Sequence, residues 1–66
     1  MNIILNGNAL TLDKTINIHD FLSHEGYDGK LVAVALNGVF VPKSNYSEQL
    51  INENDKVEIV APMQGG

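Results

Sequence analysis

The stretch KLVAVALNGVFVP, residues 30–42, decides the fold. It holds an unbroken apolar run that is too short for a buried helix, then Asn37-Gly38, then a second β-branched run. Asn and Gly tolerate the positive φ angles that a tight hairpin turn requires. The pattern therefore predicts a buried strand that turns into a short edge strand, which Pro42 ends because proline cannot donate to a ladder.

A second hairpin is indicated upstream, in IILNGNALTL, residues 3–12. Asn6-Gly7-Asn8 separates two extended runs, and the runs predict strands near residues 2–6 and 9–13. Ile3 and Leu5 alternate with Ile4, so one face of the first strand belongs to the core and Ile4 to the other face.

One helix is predicted near residues 18–25, within INIHDFLSHEG. Asn17 can cap it by accepting the backbone N–H of His19 or Asp20, and Asp20 can bond back in a capping box. Gly26 supplies a left-handed cap at the C-terminal end.

After Pro42 the sequence pattern predicts a turn of helix and a last strand. SNYSEQL, residues 44–50, is expected to tuck Tyr46 and Leu50 under the sheet. NENDKVEIVA, residues 52–61, is a turn followed by an alternating strand that ends at Pro62. Its inner face carries Val57, Ile59 and Ala61, and its outer face carries Glu58 and Val60. The element order β-β-α-β-β-(turn)-β predicts an α+β fold in which one helix covers one face of the sheet.

Composition limits the possible functions. With 66 residues the chain makes one domain, which is too small for a deep enclosed active site. It has no cysteine, so disulfides and thiolate chemistry are excluded. The net charge of −4 argues against nucleic acid as a partner and suits a basic protein surface better. MNIILNG at residues 1–7 has neither the pattern of a signal peptide nor that of a membrane anchor, so a soluble, cytoplasmic protein without a membrane partner is expected.

No constellation within the folded part is typical of catalysis. His19 and His24 are spaced i, i+5 and lie on different sides of the predicted helix, unlike a metal-binding pair, so no metal site is expected. The carboxylates are scattered, and the glycines lack the spacing of a phosphate loop. The chain is therefore not predicted to be an enzyme.

The remaining candidate is PMQGG, residues 62–66, predicted to be a flexible tail beyond a domain of residues 1–61. Fully extended, five residues reach roughly 16–18 Å, enough to cross a partner's cleft. Gly65 and Gly66 have no Cβ, so they can thread a narrow channel and leave the terminal carbonyl open to attack. A frayed chain end is the alternative interpretation.

Several separated motifs resemble one family. NG at 6–7, NIHDFL at 17–22, VAVALNGVFVP at 32–42, NDKVEIV at 54–60 and the final GG fall in the order and spacing of the ThiS family, the ubiquitin-like sulfur carriers of thiamine biosynthesis. The departures are Lys43 in place of a usual arginine, Tyr46 in place of tryptophan, and Asn54 in place of a turn glycine. The resemblance implies a β-grasp fold with a mixed sheet of four to five strands on one main helix.

The resemblance also implies a chemistry for the tail. An E1-like adenylating enzyme would use ATP to adenylate the carboxylate of Gly66, and sulfur from a cysteine desulfurase or sulfur-transfer protein would convert it to a thiocarboxylate. Thiazole synthase would then take the sulfur for the thiazole ring. In this scheme Met63, Gln64 and Gly65 thread the partner's active site together with Gly66, and the carrier itself binds no cofactor.

Four residues on the sheet face opposite the helix form the predicted docking patch: Ile4, Phe40, Glu58 and Val60. Scattered surface apolar residues are the alternative interpretation. For the whole chain, the small subunit of molybdopterin synthase, a ubiquitin-like protein modifier joined to lysine through Gly66, and a passive regulatory β-grasp module also stay open.

Overall fold

The computed structural model of the chain describes residues 1–27 and 31–61. Both predicted Asn-Gly hairpins are confirmed, because each turn has positive φ at both of its residues, as two-residue hairpin loops of type I′ require. The strands and helices follow in chain order: β1 (Asn2–Leu5), β2 (Asn8–Thr11), β3 (Ile16–Asn17), α1 (Ile18–His24), β4 (Ala33–Leu36), β5 (Val39–Val41), a 3-10 helix (Lys43–Asn45), β6 (Leu50–Ile51) and β7 (Lys56–Val60).

Five strands form one mixed sheet in the order β2-β1-β7-β4-β5. Strands β1 and β7 pair in parallel, with Ile4 opposite Lys56, and the other neighbours pair antiparallel. The last strand therefore lies in the middle of the sheet, between β1 and β4. Together with α1, this sheet confirms the predicted α+β fold of the β-grasp type.

Helix α1 begins at its predicted cap. Asn17 Oδ1 accepts the backbone N–H of Asp20 at 2.7 Å. The expected return bond from Asp20 does not form in the described structure, because its carboxylate instead lies 3.2 Å from Nδ1 of His19. At the other end Gly26 has a φ of 89°, and the N–H of Tyr27 bonds to the carbonyl of Leu22, which completes a Schellman cap.

The core lies between α1 and one face of the sheet. Ile18, Phe21 and Leu22 of the helix are buried against the inner side chains of the strands. Those sheet residues are Ile3, Val34, Val41, Val57 and Ile59. The alternation predicted for β1 and β7 is thus confirmed, except that β7 ends at Val60 and Ala61 is exposed.

The segment after β5 differs from the prediction. The short helix is a 3-10 turn at Lys43–Asn45, and residues 50–51 form a strand that pairs with β3, with Ile16 opposite Ile51. Tyr46 is buried as expected, but Leu50 is 48% exposed and Ile51 is fully buried instead. Successive residues of a strand point to opposite sides, so pairing with β3 turns Ile51 inward and Leu50 outward.

Candidate functional site

The four predicted docking residues lie on the sheet face that the helix leaves uncovered. Ile4 comes from β1, Phe40 from β5, and Glu58 and Val60 from β7, and all four are exposed. Their strand neighbours Ile3, Val41, Val57 and Ile59 point the other way, into the core. We refer to Ile4, Phe40, Glu58 and Val60 as the outer patch.

The register of the sheet sets the spacing within the outer patch. Phe40 lies opposite Ala35, and Ala35 lies opposite Glu58, so these three form one row across β5, β4 and β7. With strands about 4.8 Å apart, Phe40 and Glu58 are roughly 10 Å from each other. Val60 lies two residues further along β7, opposite Ala33. The small alanines leave the larger apolar side chains prominent, and 64% of Phe40 is exposed.

Ile4 lies at the opposite end of the face from Val60. It pairs with Lys56, four residues before Val60 and thus about 13 Å away along the strand. An open depression of about 710 Å³ borders this end and is lined in part by Ile4, Lys56 and Glu58. The uncovered face is therefore broad and mainly apolar, with Lys56 and Glu58 as charged groups beside the depression. It suits a protein surface and is too open to enclose a small substrate.

The strand that precedes the predicted tail is held by the side chain of Asn6, a residue whose sequence pattern indicates only a turn. Asn6 Oδ1 accepts the N–H of Ile59 at 2.8 Å, and Asn6 Nδ2 donates to the carbonyl of Ile59 at 3.3 Å. The turn residue of the first hairpin thus bonds to a strand more than fifty positions away.

Asn37 of the second hairpin holds the other end of β7. Its Oδ1 accepts the N–H of Lys56 at 2.9 Å, and its Nδ2 donates to the Asp55 carboxylate at 3.0 Å. No periodicity or composition signal distinguishes these asparagines from ordinary turn residues, since the contacts arise only when β7 inserts between the two hairpins.

In the part of the chain that the structure describes, the titratable groups outside the outer patch do not form a cluster. His19 and His24 are exposed on α1, each beside the carboxylate of the next residue. Within residues 1–27 and 31–61, no group of three or more potential metal ligands occurs. Burial raises the pKa of the Tyr46 hydroxyl, which donates to the carbonyl of Val32 at 3.3 Å on the helix side of the sheet. In the same described ranges, none of the helical structure has the length and apolar character needed to cross a membrane.

The predicted tail, Pro62, Met63, Gln64, Gly65 and Gly66, lies outside the described residues. The described chain reaches Ala61, which directly follows Val60 of the outer patch. The proposed reactive end is therefore joined to the uncovered face by a few residues of sequence.

Comparison with known proteins gives a consistent result. The model of the ThiS family matches residues 3–66. A thiazole synthase of Paramagnetospirillum magneticum is 36% identical over 66 residues, which are the whole of this chain and 20% of that protein. The chain thus spans about a fifth of that relative. A ycf40 protein of Trieres chinensis is 34% identical over 62 residues, covering 94% of this chain and 85% of that one.

Solved structures agree with the sequence relatives. The crystal structure of a thiamine biosynthesis protein (ThiS) from Geobacter metallireducens superposes with a TM-score of 0.87 at 29% identity and covers all of both chains. A solution structure of a thiamine biosynthesis protein from the same organism gives a TM-score of 0.83, with 100% of this chain and 88% of that one covered.

Proposed function

The chain belongs to the ThiS family, and from this premise we propose that it is a sulfur carrier for the thiazole moiety of thiamine. The observation that carries the proposal is the family match, which extends through Gly66 and so includes the Gly-Gly end. The names of the Geobacter metallireducens structures and of the thiazole synthase relative support the thiamine pathway.

The proposed chemistry takes place at the carboxylate of Gly66. A carboxylate is a poor acyl donor, so it first attacks the α-phosphate of ATP and displaces pyrophosphate, which leaves an acyl adenylate. Hydrosulfide then adds to the carbonyl carbon and AMP leaves with its bonding electrons, so the product is a thiocarboxylate. Catalysis belongs to the partner, an E1-like adenylating enzyme, and we expect the reaction in the cytoplasm because it consumes ATP.

The outer patch would dock on that partner. An uncovered apolar face with prominent Phe40 and Val60 offers contact area without a pocket of its own. Because Ala61 continues directly from Val60, a partner that holds this face also holds the start of the tail, and residues 62–66 could then extend into its active site. Thiazole synthase would accept the loaded tail in a second complex.

The proposal is tested by incubating the chain with the adenylating enzyme of its own organism, ATP and sodium sulfide. Intact mass spectrometry should show a species in which one terminal oxygen is replaced by sulfur. A chain without Gly66 is the matched control and should show none. If the wild-type chain stays unmodified, or if the shortened chain is modified equally, the carrier function is wrong.

Adding thiazole synthase to the loaded chain separates the thiamine pathway from the molybdenum-cofactor pathway. We expect loss of the sulfur-bearing species together with formation of the thiazole. Persistence of the thiocarboxylate with an active thiazole synthase and its other substrates would instead favour the molybdopterin synthase alternative.

A further inference from the structure

The pairing of β1 with β7 stops before β7 ends. The parallel register covers Ile4 with Lys56 and Leu5 with Val57, and the N–H of Asn6 makes the last backbone bond, to the carbonyl of Val57 at 2.9 Å. Beyond that point β1 turns into β2 through Asn6-Gly7. The N–H and carbonyl of Ile59 therefore face the β1 side with no strand residue opposite them.

The side chain of Asn6 takes the position that another peptide group of β1 would occupy. Its amide oxygen accepts from the Ile59 N–H, and its amide nitrogen donates to the Ile59 carbonyl. An amide side chain has one acceptor group and one donor group, as a peptide unit does, so it extends the ladder by one step. On its other side β7 pairs with β4 as far as Val60 opposite Ala33.

We propose that Asn6 is a positioning residue for the sulfur-transfer reaction: its side-chain amide fixes the end of β7, the strand from which the chain continues toward Gly66. The inference rests on the proposed carrier function. With Asn6 in place the end of β7 is bonded from both sides. Without its amide only β4 holds the strand end, and Ile59 to Ala61 can separate from the β1 side.

We expect loss of the Asn6 amide to slow the reaction within the docked complex more than it weakens docking. Five residues span at most roughly 16–18 Å when extended. If the end of β7 separates from the β1 side, the terminal carboxylate reaches a different part of the partner's cleft. Holding a reactive group in place raises its effective concentration at the partner's active site. Loss of that order lowers the rate at saturating carrier, while the outer-patch contacts that set KM are retained.

The chain offers a matched pair of variants, Asn6→Gly and Asn37→Gly. Both residues begin an Asn-Gly turn, with φ of 49° and 53°, and both side chains bond to β7. Glycine adopts positive φ without strain, so each variant keeps its hairpin and loses only the amide contacts. Asn37 bonds at Lys56, the first residue of β7, and not at the end of the strand, so its variant controls for general loss of stability.

Initial rates of thiocarboxylate formation are measured by intact mass spectrometry with the adenylating enzyme, ATP and sulfide, over a range of carrier concentrations. For Asn6→Gly we expect the rate at saturating carrier to fall by about threefold to tenfold, the factor given by losing hydrogen bonds of ordinary net strength. KM should change less than this rate does. Asn37→Gly should retain the wild-type saturating rate even though its unfolding midpoint is lowered.

Amide hydrogen exchange provides a second readout that does not depend on the partner. Exchange at Ile59 should accelerate more in Asn6→Gly than in Asn37→Gly, where only the general loss of stability contributes. Equal saturating rates for wild type and Asn6→Gly, or equal losses in both variants, would overturn the inference. Unchanged exchange at Ile59 would also overturn it. Failure of the wild-type chain to form a thiocarboxylate contradicts the carrier function itself, and exchange then still decides whether Asn6 holds the strand end.

Discussion

Asn6, Asn37 and Asn54 each occupy the left-handed backbone region, with φ of 49°, 53° and 68°. Asparagine adopts this region more readily than other residues with a Cβ, and this is why short turns could be predicted at all three positions. The long-range bonds of Asn6 and Asn37 to β7 could not be predicted, because a turn residue's sequence neighbours carry no information about a strand that arrives later in the chain.

The sequence predicted that Leu50 is buried, whereas the structure buries its neighbour Ile51. Alanine variants of the two residues test this difference. Ile51 is fully buried and Leu50 is 48% exposed. Ile51→Ala should therefore lower the free energy of unfolding by about 2–5 kcal/mol, the usual cost of removing a buried aliphatic side chain. Leu50→Ala should lower it by less than about 1 kcal/mol. Urea denaturation of both variants decides the point, and a larger loss for Leu50→Ala would contradict the packing described.

Tyr46 should make the free energy of unfolding depend on pH in the alkaline range. Burial raises its pKa above the ordinary value of 10.0 because the phenolate would have to form away from water. Below this value the folded and unfolded chains both keep the proton, so Tyr46 contributes no pH dependence. As pH rises through 10 toward the raised pKa, the unfolded chain releases the proton first and the folded state loses stability.

The comparison for this prediction is Tyr46→Phe. That variant loses the hydrogen bond to Val32 and should begin with lower stability at neutral pH. Its further decline above about pH 10 should be shallower than that of the wild-type chain. Urea midpoints of both proteins are measured across this pH range. If they decline in parallel, the pKa of Tyr46 does not differ between the folded and unfolded states.

At the scale of elements, α1 depends on its ends because it has only seven residues. A helix this short is not stable alone, and its caps and its buried face hold it in place. Asn17→Ala should cost about 0.5–2 kcal/mol in the free energy of unfolding, since the N–H of Asp20 loses its acceptor. Asn17→Asp keeps an acceptor at the helix N-terminus and should be tolerated. Equal losses for the two variants in denaturant unfolding would refute a capping role.

Strand β5 presents two exposed apolar residues to opposite sides, which allows the docking hypothesis to be tested within one element. Phe40 lies on the outer patch and Val39 on the helix side, with 64% and 67% of each exposed. Phe40→Asp should raise the KM of the adenylating enzyme for the carrier by about tenfold or more, as loss of an aromatic anchor does. Val39→Asp, on the same edge strand, should leave KM close to wild type. Similar KM values for both variants would contradict docking through this face.

At the scale of the whole molecule, elements with local sequence signals could be predicted, whereas pairing between distant segments could not. The two hairpins, α1 and the alternation of β7 were predictable because turn residues, caps and periodicity are local signals. Strands β3 and β6 have two residues each, too few to show any period, so their ladder was not predicted. The outer patch followed from alternation in β1 and β7, whereas its row through Phe40, Ala35 and Glu58 required the register.

The extent of the buried core leads to a last prediction for the whole molecule. The buried core described here runs from Ile3 to Ile59, so a chain ending at Ala61 should unfold at nearly the same urea concentration as the full chain. That shortened chain retains the outer patch and lacks the proposed reactive terminus. It should therefore inhibit thiocarboxylate formation on the full-length carrier competitively, with an inhibition constant near the carrier's KM. A stable shortened chain that fails to compete would mean that the tail, and not the sheet face, supplies the binding energy. The docking role of Ile4, Phe40, Glu58 and Val60 would then be wrong, even if Gly66 still received the sulfur.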